Sequence, residues 1–172
     1  MGFTQIHGED FAETFAGVVI GKTFRIMLSI LVSNPQNNME HWDVRMAFTQ
    51  AKLEEELYME QPEGFARDEK KLVCRLHKSL YGLKQSARNW QLMLNSIFRA
   101  THFNSLHADP CVFMRREKDT WCICCTHVDD IFVLFNPEGK FFRDELFEKI
   151  RRVSKSRTLV SLLGSENEHF TR

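Results

Sequence analysis

An excess of charge of either sign is missing from this sequence. The chain has 23 basic and 23 acidic side chains, so it lacks the basic surplus usual in proteins that bind nucleic acid. Balanced charge does not exclude a basic face, but it removes the easiest sign of one. Internal repeats and low-complexity linkers are also absent, and 172 residues suit one domain with a sizeable core.

Long apolar runs and paired cysteine motifs are missing as well. No apolar run approaches the length of a membrane-spanning helix, and residues 1–7 are too polar for a signal peptide. The five cysteines do not form two separate Cys-x-x-Cys motifs, which argues against a structural zinc site. Cys122 and Cys124 should share one face of a strand and Cys125 the other, as small buried apolar side chains. We therefore expect no membrane segment and an intracellular protein, cytoplasmic or nuclear.

The chain does contain a clear apolar pattern. Its 15 phenylalanines and 43% hydrophobic content indicate a folded globule. Apolar periodicity predicts helices over residues 23–33, 84–101 and 138–151. Short or alternating apolar runs predict strands over residues 39–43, 72–77, 111–115, 120–127 and 131–135, and a brief strand before Pro62. Antiparallel strands with helices packed on one face give an α+β fold.

The most informative stretch is His127-Val-Asp-Asp130, where two adjacent acids join two apolar runs. Both runs are predicted to be buried strands, so the acids lie in a tight turn. Two carboxylates about 4 Å apart repel by about 4 kcal/mol at a surface dielectric, and a divalent cation turns that repulsion into attraction. Asp43, at the end of another predicted strand, is a third such acid. Two-metal phosphoryl transfer requires acids of this kind, and the set points to a polymerase palm.

Each of these residues also has a purely structural interpretation. Acidic pairs in turns are mostly solvated, and spacing alone favours Asp43 as the N-cap of the helical segment that follows it. His127, a lone histidine on a strand, is more often a packed or hydrogen-bonded core residue than a metal ligand. Phe48 is either a core side chain or a flat floor beneath a bound sugar, where it would sense a 2′-hydroxyl. Periodicity does not separate these interpretations.

Residues 80–88 place Gly82 immediately before the long predicted helix. Glycine there permits close backbone approach or a positive φ angle. Lys84 and Arg88 should share one face of the helix, where cations in the first turn oppose the helix dipole. That placement suits an anionic ligand such as a phosphate, and a solvated basic edge is the equally open alternative.

Seven motifs follow one another along the chain. They are Gly2-Phe-Thr-Gln, Asp10-Phe-Ala-Glu-Thr-Phe15, Asp43-Val-Arg-Met-Ala-Phe48, Leu53-Glu-Glu-Glu-Leu-Tyr-Met-Glu-Gln-Pro-Glu-Gly-Phe65, Ser79-Leu-Tyr-Gly-Leu-Lys-Gln85, Ala108-Asp-Pro-Cys111 and Val128-Asp-Asp130. In order and spacing they closely resemble the reverse transcriptase domain of copia-type LTR retrotransposons. The resemblance covers about residues 2 to 150.

This resemblance implies a right-hand polymerase that acts as an RNA-directed DNA polymerase. Residues 1–150 would form a palm-like antiparallel sheet with partial fingers and no complete thumb, and residues 151–172 a degenerate basic tail. Two Mg²⁺ ions would serve the transfer of deoxynucleotides to a primer 3′-end on an RNA or DNA template. Asp43, Asp129 and Asp130 match the carboxylate triad that holds these ions.

Four further residues match positions that bind the incoming nucleotide. Phe48 matches the sugar gate of the family. Tyr81, Gly82 and Lys84 match the segment that lines the nucleotide pocket and the template strand. The sequence departs from the family pattern at His127, where tyrosine is usual, at Ala87, where proline is usual, and at Gln50-Ala51, where an Asn-Gly turn is usual. A change in the turn beyond Phe48 and a looser primer side of the site are the expected consequences.

Three functional hypotheses follow. The first is a reverse transcriptase remnant that keeps its metal triad but, without the basic fingers segment and thumb of the family, holds a primer–template poorly. The second is a domesticated, non-catalytic module that binds nucleic acid or a protein. The third is an unselected product that does not fold stably. The intact triad favours the first hypothesis, and neutral charge with missing fingers favours the second.

Overall fold

The computed structural model describes residues 2–65 and 72–154. The chain divides into two compact units, unit 1 with residues 1–16 and 46–94, and unit 2 with residues 17–45 and 95–172. The helices are α1 (Gly21–Ser33), α2 (Ser86–Ala100) and α3 (Lys140–Ser154). The strands are β1 (Asn38–Asp43), β2 (Lys52–Glu60), β3 (Val73–Lys78), β4 (Asn104–Ser105), β5 (Val112–Glu117), β6 (Thr120–His127) and β7 (Asp130–Phe135).

The predicted secondary structure is confirmed over most of its length. All three helices and all five strands predicted with bounds are present, and their ends shift by a few residues. The brief strand expected before Pro62 is longer than predicted, because β2 covers nine residues. Residues 151–154 continue α3, and the rest of the predicted basic tail, residues 155–172, lies outside the described residues. None of the helices described here combines the length and apolar character that crossing a membrane requires.

Unit 2 contains a five-stranded sheet in the order β1-β7-β6-β5-β4, and every neighbouring pair in it is antiparallel. Residues opposite each other in such a pair share a face, and successive residues alternate between faces. One face therefore carries the apolar residues that α1 covers through Met27. Its buried members on the strands are Met39, Val112, Ile123, Cys125 and Leu134.

The opposite face of this sheet contacts the other two helices. Phe98 near the end of α2 stacks on Phe113 of β5, with ring centroids 4.1 Å apart. Trp42 of β1 meets Phe147 of α3 edge-to-face at 5.2 Å. The expectation that helices pack on one face of the sheet is therefore wrong. Single-residue alternation along β1 presents apolar side chains to both sides, and each side requires a helix to bury them.

The cysteines on β6 behave as predicted. Cys122 and Cys124 lie on the face toward α2 and α3, Cys125 lies on the face toward α1, and all three are buried and free. Burial raises the pKa of the Cys125 thiol to about 12 and holds the pKa of the Cys124 thiol well above its ordinary value. These thiols stay protonated at neutral pH and serve as small apolar side chains.

A partly buried ion pair joins β1 to α3. Arg143 Nε donates to Glu40 Oε2 at 2.8 Å. Arg143 Nη2 lies 2.6 Å from the same oxygen. Trp42 Nε1 donates to the same carboxylate oxygen at 2.7 Å. Burial opposes the charge of Arg143, but the bonds and attraction from Glu40 and Asp144 outweigh it and raise the pKa of Arg143. The Arg143 guanidinium therefore stays charged, and its bonds to Glu40 hold β1 against α3.

Unit 1 contains the antiparallel pair β2–β3, followed by a loop over residues 79–85 that leads to α2. Gly82 in this loop has a φ of +93°, so the predicted need for glycine is confirmed. Gly2 lies directly against the Gly82 carbonyl, and a Cβ at residue 2 would collide with it. Gln85 is fully buried, accepts a hydrogen bond from Gln5 Nε2 at 3.0 Å and donates to the Asp10 carbonyl at 2.9 Å. The N-terminal residues thus fix the shape of this loop.

Lys84 and Arg88 do not share the first turn of a helix. The helix α2 begins at Ser86, whose Oγ donates to the Leu80 carbonyl at 2.6 Å and so holds the preceding residues in a turn. Lys84 therefore lies before the helix, and the prediction that placed it on the helix is wrong. Arg88 forms an ion pair with Glu13.

Replacing Arg143 by methionine should lower the free energy of unfolding by about 3 kcal/mol, because it leaves the Glu40 carboxylate buried without its cation. Arg151→Met is the matched control, since the Arg151–Glu148 pair is 52% and 46% exposed and, screened by solvent, should contribute far less to stability. Urea unfolding followed by circular dichroism measures both values. Equal losses of unfolding free energy in the two variants would mean that the Glu40–Arg143 pair contributes no more than a surface ion pair.

Gly82→Ala should lower the free energy of unfolding by about 1–2 kcal/mol, because an L side chain disfavours the left-handed region. Gly21→Ala is the control. A Cβ at either glycine meets nothing within 4 Å, but Gly21 has no positive φ and opens α1, so alanine there should be neutral or stabilising by up to about 1 kcal/mol. Thermal unfolding compares the two variants. An unchanged melting temperature for Gly82→Ala would mean that the loop has another backbone conformation in solution.

Candidate active site

Two of the three candidate aspartates face each other across the sheet of unit 2. Asp43, the last residue of β1, is the antiparallel partner of Asp130, the first residue of β7. Antiparallel partners have Cα atoms about 4.5–5.5 Å apart and side chains on one face. Both residues are half-buried. The pairing of β1 with β7 thus brings together two acids that are 87 positions apart in the sequence.

Asp129 lies in the turn that connects β6 to β7. His127 and Asp130 are the last paired residues of this hairpin, so the turn has two residues, Val128 and Asp129. Val128 has a φ of +59°, which is strained for a β-branched side chain. The Asp129 carbonyl accepts a hydrogen bond from Val44 N at 3.1 Å. This bond ties the turn to the residue that follows Asp43.

A histidine that the motifs did not single out contacts one of these acids. His41 Nε2 lies 2.6 Å from Asp130 Oδ1. On β1, His41 is two residues before Asp43, so alternation places both on the same face of the sheet. Alternation could have identified His41 from the sequence, but its contact with Asp130 depends on the register between two distant strands.

The three aspartates do not form a ready-made metal site. Across residues 2–65 and 72–154, no three His, Cys, Asp or Glu side chains converge on a point that would hold a metal ion. Pairing joins Asp43 with Asp130, hydrogen bonding joins Asp130 with His41, and Asp129 adjoins them through the turn. The role of Asp43, Asp129 and Asp130 as metal ligands stays a prediction.

The alternative interpretation of Asp43 as an N-cap is wrong. The helical segment after it is a 3-10 helix over Ala47–Gln50, and the residue at its N-cap position is Met46, with a φ of +54° and no side-chain capping bond. Asp43 instead closes β1. His127 is exposed, so the expectation of a packed core histidine is also wrong.

The four residues expected at the nucleotide pocket all lie in unit 1. The rings of Phe48 and Tyr81 are in contact, with centroids 4.6 Å apart and an interplanar angle of 42°. Phe48 is half-buried and Tyr81 is 55% exposed. Gly82 follows Tyr81 directly and turns the chain with its positive φ. Phe48 and Tyr81 therefore form one aromatic pair that is open on one side.

Lys84 completes this group at the end of the same loop. Its backbone N–H donates to Gln5 Oε1 at 2.9 Å, and its ammonium group lies 3.5 Å from the Gln5 carbonyl. The ammonium group also lies 4.9 Å from the centre of the Phe11 ring. The lysine is exposed at the surface of unit 1.

Two departures from the family pattern leave the backbone regular. Ala51 replaces the usual glycine at a φ of −74°, and its N–H donates to the Phe48 carbonyl at 3.2 Å. The turn beyond Phe48 therefore does not require glycine. Ala87 lies in the first turn of α2, where proline is tolerated but not required.

Comparison with known proteins gives a consistent result. Residues 1–152 match the family described as reverse transcriptase (RNA-dependent DNA polymerase). The chain is 40% identical over 140 residues to the retrovirus-related Pol polyprotein from transposon TNT 1-94 of Nicotiana tabacum, covering 80% of this chain and 10% of that protein. It is 35% identical over 136 residues to the Pol polyprotein from transposon RE2 of Arabidopsis thaliana, covering 78% of this chain and 9% of that protein.

A yeast relative extends the comparison. The transposon Ty1-BL Gag-Pol polyprotein of Saccharomyces cerevisiae is 32% identical over 115 residues, which is 66% of this chain and 6% of that protein. The chain thus spans about a tenth or less of the length of these relatives. Because the family match covers most of the sequence and includes every candidate residue, the chain belongs to the reverse transcriptase (RNA-dependent DNA polymerase) family, with relatives among the copia-type retrotransposons.

Proposed function

We propose that this chain carries the catalytic centre of an RNA-directed DNA polymerase, which adds deoxynucleotides to a primer 3′-end. The observation that supports this most directly is the register of β1 and β7. It sets Asp43 opposite Asp130 on one face of the sheet, with Asp129 in the adjoining turn. A regular hairpin has no structural need for acids at these positions, since facing like charges destabilise a strand pair.

The donors present suit magnesium. Mg²⁺ prefers carboxylate oxygens and usually takes one or two of them, while waters and substrate phosphates complete its octahedral shell. Asp43 and Asp130 supply two facing carboxylates, and Asp129 adds a third in the turn. A closed protein cage of three ligands is therefore not required before the nucleotide arrives. When bound, two Mg²⁺ ions would lower the pKa of the primer hydroxyl and stabilise charge on the leaving pyrophosphate.

The residues of this chain would then have separate tasks. Asp43, Asp129 and Asp130 would hold the ions in unit 2. Phe48 and Tyr81 would form the floor under the sugar of the incoming nucleotide, and Gly82 and Lys84 would line its pocket in unit 1. In this proposal the polymerase region covers residues 1–150, with unit 2 up to residue 150 as the palm and unit 1 as the partial fingers.

The substrates in this proposal are a primer on an RNA or DNA template and deoxynucleoside triphosphates. The balanced charge of the chain gives no general attraction for such polyanions, so their binding depends on local groups. Lys84 is one such group, because it is exposed on the same loop as Tyr81. Binding should be tightest at low ionic strength.

Primer extension tests the proposal. At low salt with Mg²⁺ and an RNA template, the full chain should extend a labelled DNA primer. Asp129→Asn should reduce this by at least about 100-fold, because a ligand of the ions loses its charge. Asp119→Asn is the matched control, since Asp119 is an exposed aspartate in the β5–β6 turn of the same sheet. Extension that survives in Asp129→Asn would reject the catalytic assignment.

The same experiment distinguishes the alternative of a non-catalytic binding module. That alternative is favoured by the neutral charge and by the lack of a converged three-residue metal group in the described residues. No extension by the wild-type chain, together with retained salt-sensitive RNA binding, would support it. Binding is measured by fluorescence anisotropy of a labelled RNA over a range of salt concentrations.

Phe48→Ala should admit ribonucleotides. Removing the ring from its contact with Tyr81 opens space for a 2′-hydroxyl, and the ratio of ribonucleotide to deoxynucleotide incorporation should rise about tenfold or more. Phe15→Ala is the control, because Phe15 is 81% exposed in the same unit. Single-nucleotide incorporation gives the ratio for each variant. Unchanged discrimination would assign Phe48 to packing against Tyr81 alone.

A further inference from the structure

We propose that His41 is a positioning residue for the Asp130 carboxylate, which it orients toward a bound divalent cation. This inference rests on the proposed function and deepens it, because it adds a residue that acts through one of the three aspartates. Three observations carry it: a short hydrogen bond, a ring fixed by its neighbours, and a shared face of the sheet.

The hydrogen bond joins His41 Nε2 to Asp130 Oδ1 at 2.6 Å. A carboxylate oxygen accepts hydrogen bonds, so the imidazole Nε2–H is the donor in this contact. The His41 side chain is 19% exposed and that of Asp130 is 38% exposed, so the bond lies at the edge of the buried sheet. Fixing Oδ1 stops the carboxylate from rotating and leaves Oδ2 outside this bond.

The imidazole ring is itself held in place. It stacks on Phe132, its antiparallel partner on β7, with centroids 4.6 Å apart and an interplanar angle of 15°. Phe132 in turn meets Phe24 of α1 edge-to-face at 4.8 Å. A chain of contacts thus runs from α1 through two aromatic rings to the carboxylate. A histidine ring restrained in this way donates its hydrogen bond in one fixed direction.

The position of His41 on β1 places the hydrogen bond next to the facing pair Asp43 and Asp130. His41 and Asp43 lie two residues apart on the same face, and Asp43 faces Asp130. The donor therefore reaches Asp130 from the row of β1 side chains that ends with Asp43. Groups that hydrogen-bond a metal-ligating carboxylate from such a position set its orientation, and their loss costs about 10–100-fold in metal affinity.

Manganese binding to the full 172-residue chain tests the proposal without relying on catalysis. Mn²⁺ occupies carboxylate sites that take Mg²⁺, and electron paramagnetic resonance counts the free ion. His41→Phe keeps an aromatic ring for the stack on Phe132 but loses the donor, so the Kd for Mn²⁺ should rise about 10–100-fold. His41→Gln keeps a donor and should recover most of the affinity. His107→Ala, at an exposed histidine of unit 2, should bind as the wild type does.

Cooperative thermal unfolding of each variant shows whether it is folded, and His41→Met replaces His41→Phe if the latter does not melt cooperatively. Wild-type affinity in the variant that lacks a donor, with lost affinity in Asp129→Asn, would overturn the role of His41 and leave the proposed function standing. Equal losses in His41→Phe and His41→Gln would also overturn it, because the donor would then not matter. Wild-type affinity in Asp129→Asn, or no Mn²⁺ binding by the wild-type chain, would overturn both proposals.

Discussion

The register of β1 against β7 is the constraint on which the candidate site depends. A shift of one residue along β1 would move Asp43 and His41 to the face covered by α2 and α3, and would move Trp42 to the face covered by α1. Met39 and Trp42 prevent such a shift, because each is buried against a different helix layer. The Glu40–Arg143 pair adds a polar lock on the side away from the acids. The position of the acids is therefore set by apolar and ionic contacts on both faces of one short strand.

Much of this fold could be predicted from the apolar pattern alone. The helix stripe of α1 and the dense apolar runs of β6 and β7 allow few other structures, and these elements are found where they were expected. What the pattern did not provide is the layer to which each helix belongs. Alternation along a strand shows that two faces are apolar, but it does not show which helix covers which face. That choice depends on contacts between residues distant in sequence, such as Phe24 with Phe132 and Phe98 with Phe113.

The candidate site shows the same division between local and distant information. The loop with Gly82 was predictable, because a glycine immediately before a helix permits a positive φ at its own position, and this preference depends only on neighbouring residues. The start of α2 was not, since it depends on the hydrogen bond from Ser86 to the Leu80 carbonyl and on that from Lys84 N–H to the distant Gln5, which hold Lys84 outside the helix. For Asp43, spacing favoured an N-cap, and the left-handed Met46 that begins the next segment had no signal in the sequence. The contact between Phe48 and Tyr81 joins residues on separate segments and required the folded chain.

At the end of the sheet that holds the acids, the residue types do not suit the backbone conformation and the strand pairing in which they lie. Along the rest of the strands they do. Val128 is a β-branched residue at a positive φ, a conformation that costs about 1–3 kcal/mol. Asp43 and Asp130 are like charges at directly opposed positions, which weakens a strand pair. A turn chosen for stability would have glycine or asparagine at residue 128 and a neutral or oppositely charged residue opposite Asp43. Sequences that fold cooperatively keep such conflicts mainly where function requires them. The strain of this turn is thus an argument for a ligand there that is independent of family membership, because a bound cation would offset the repulsion between the facing carboxylates.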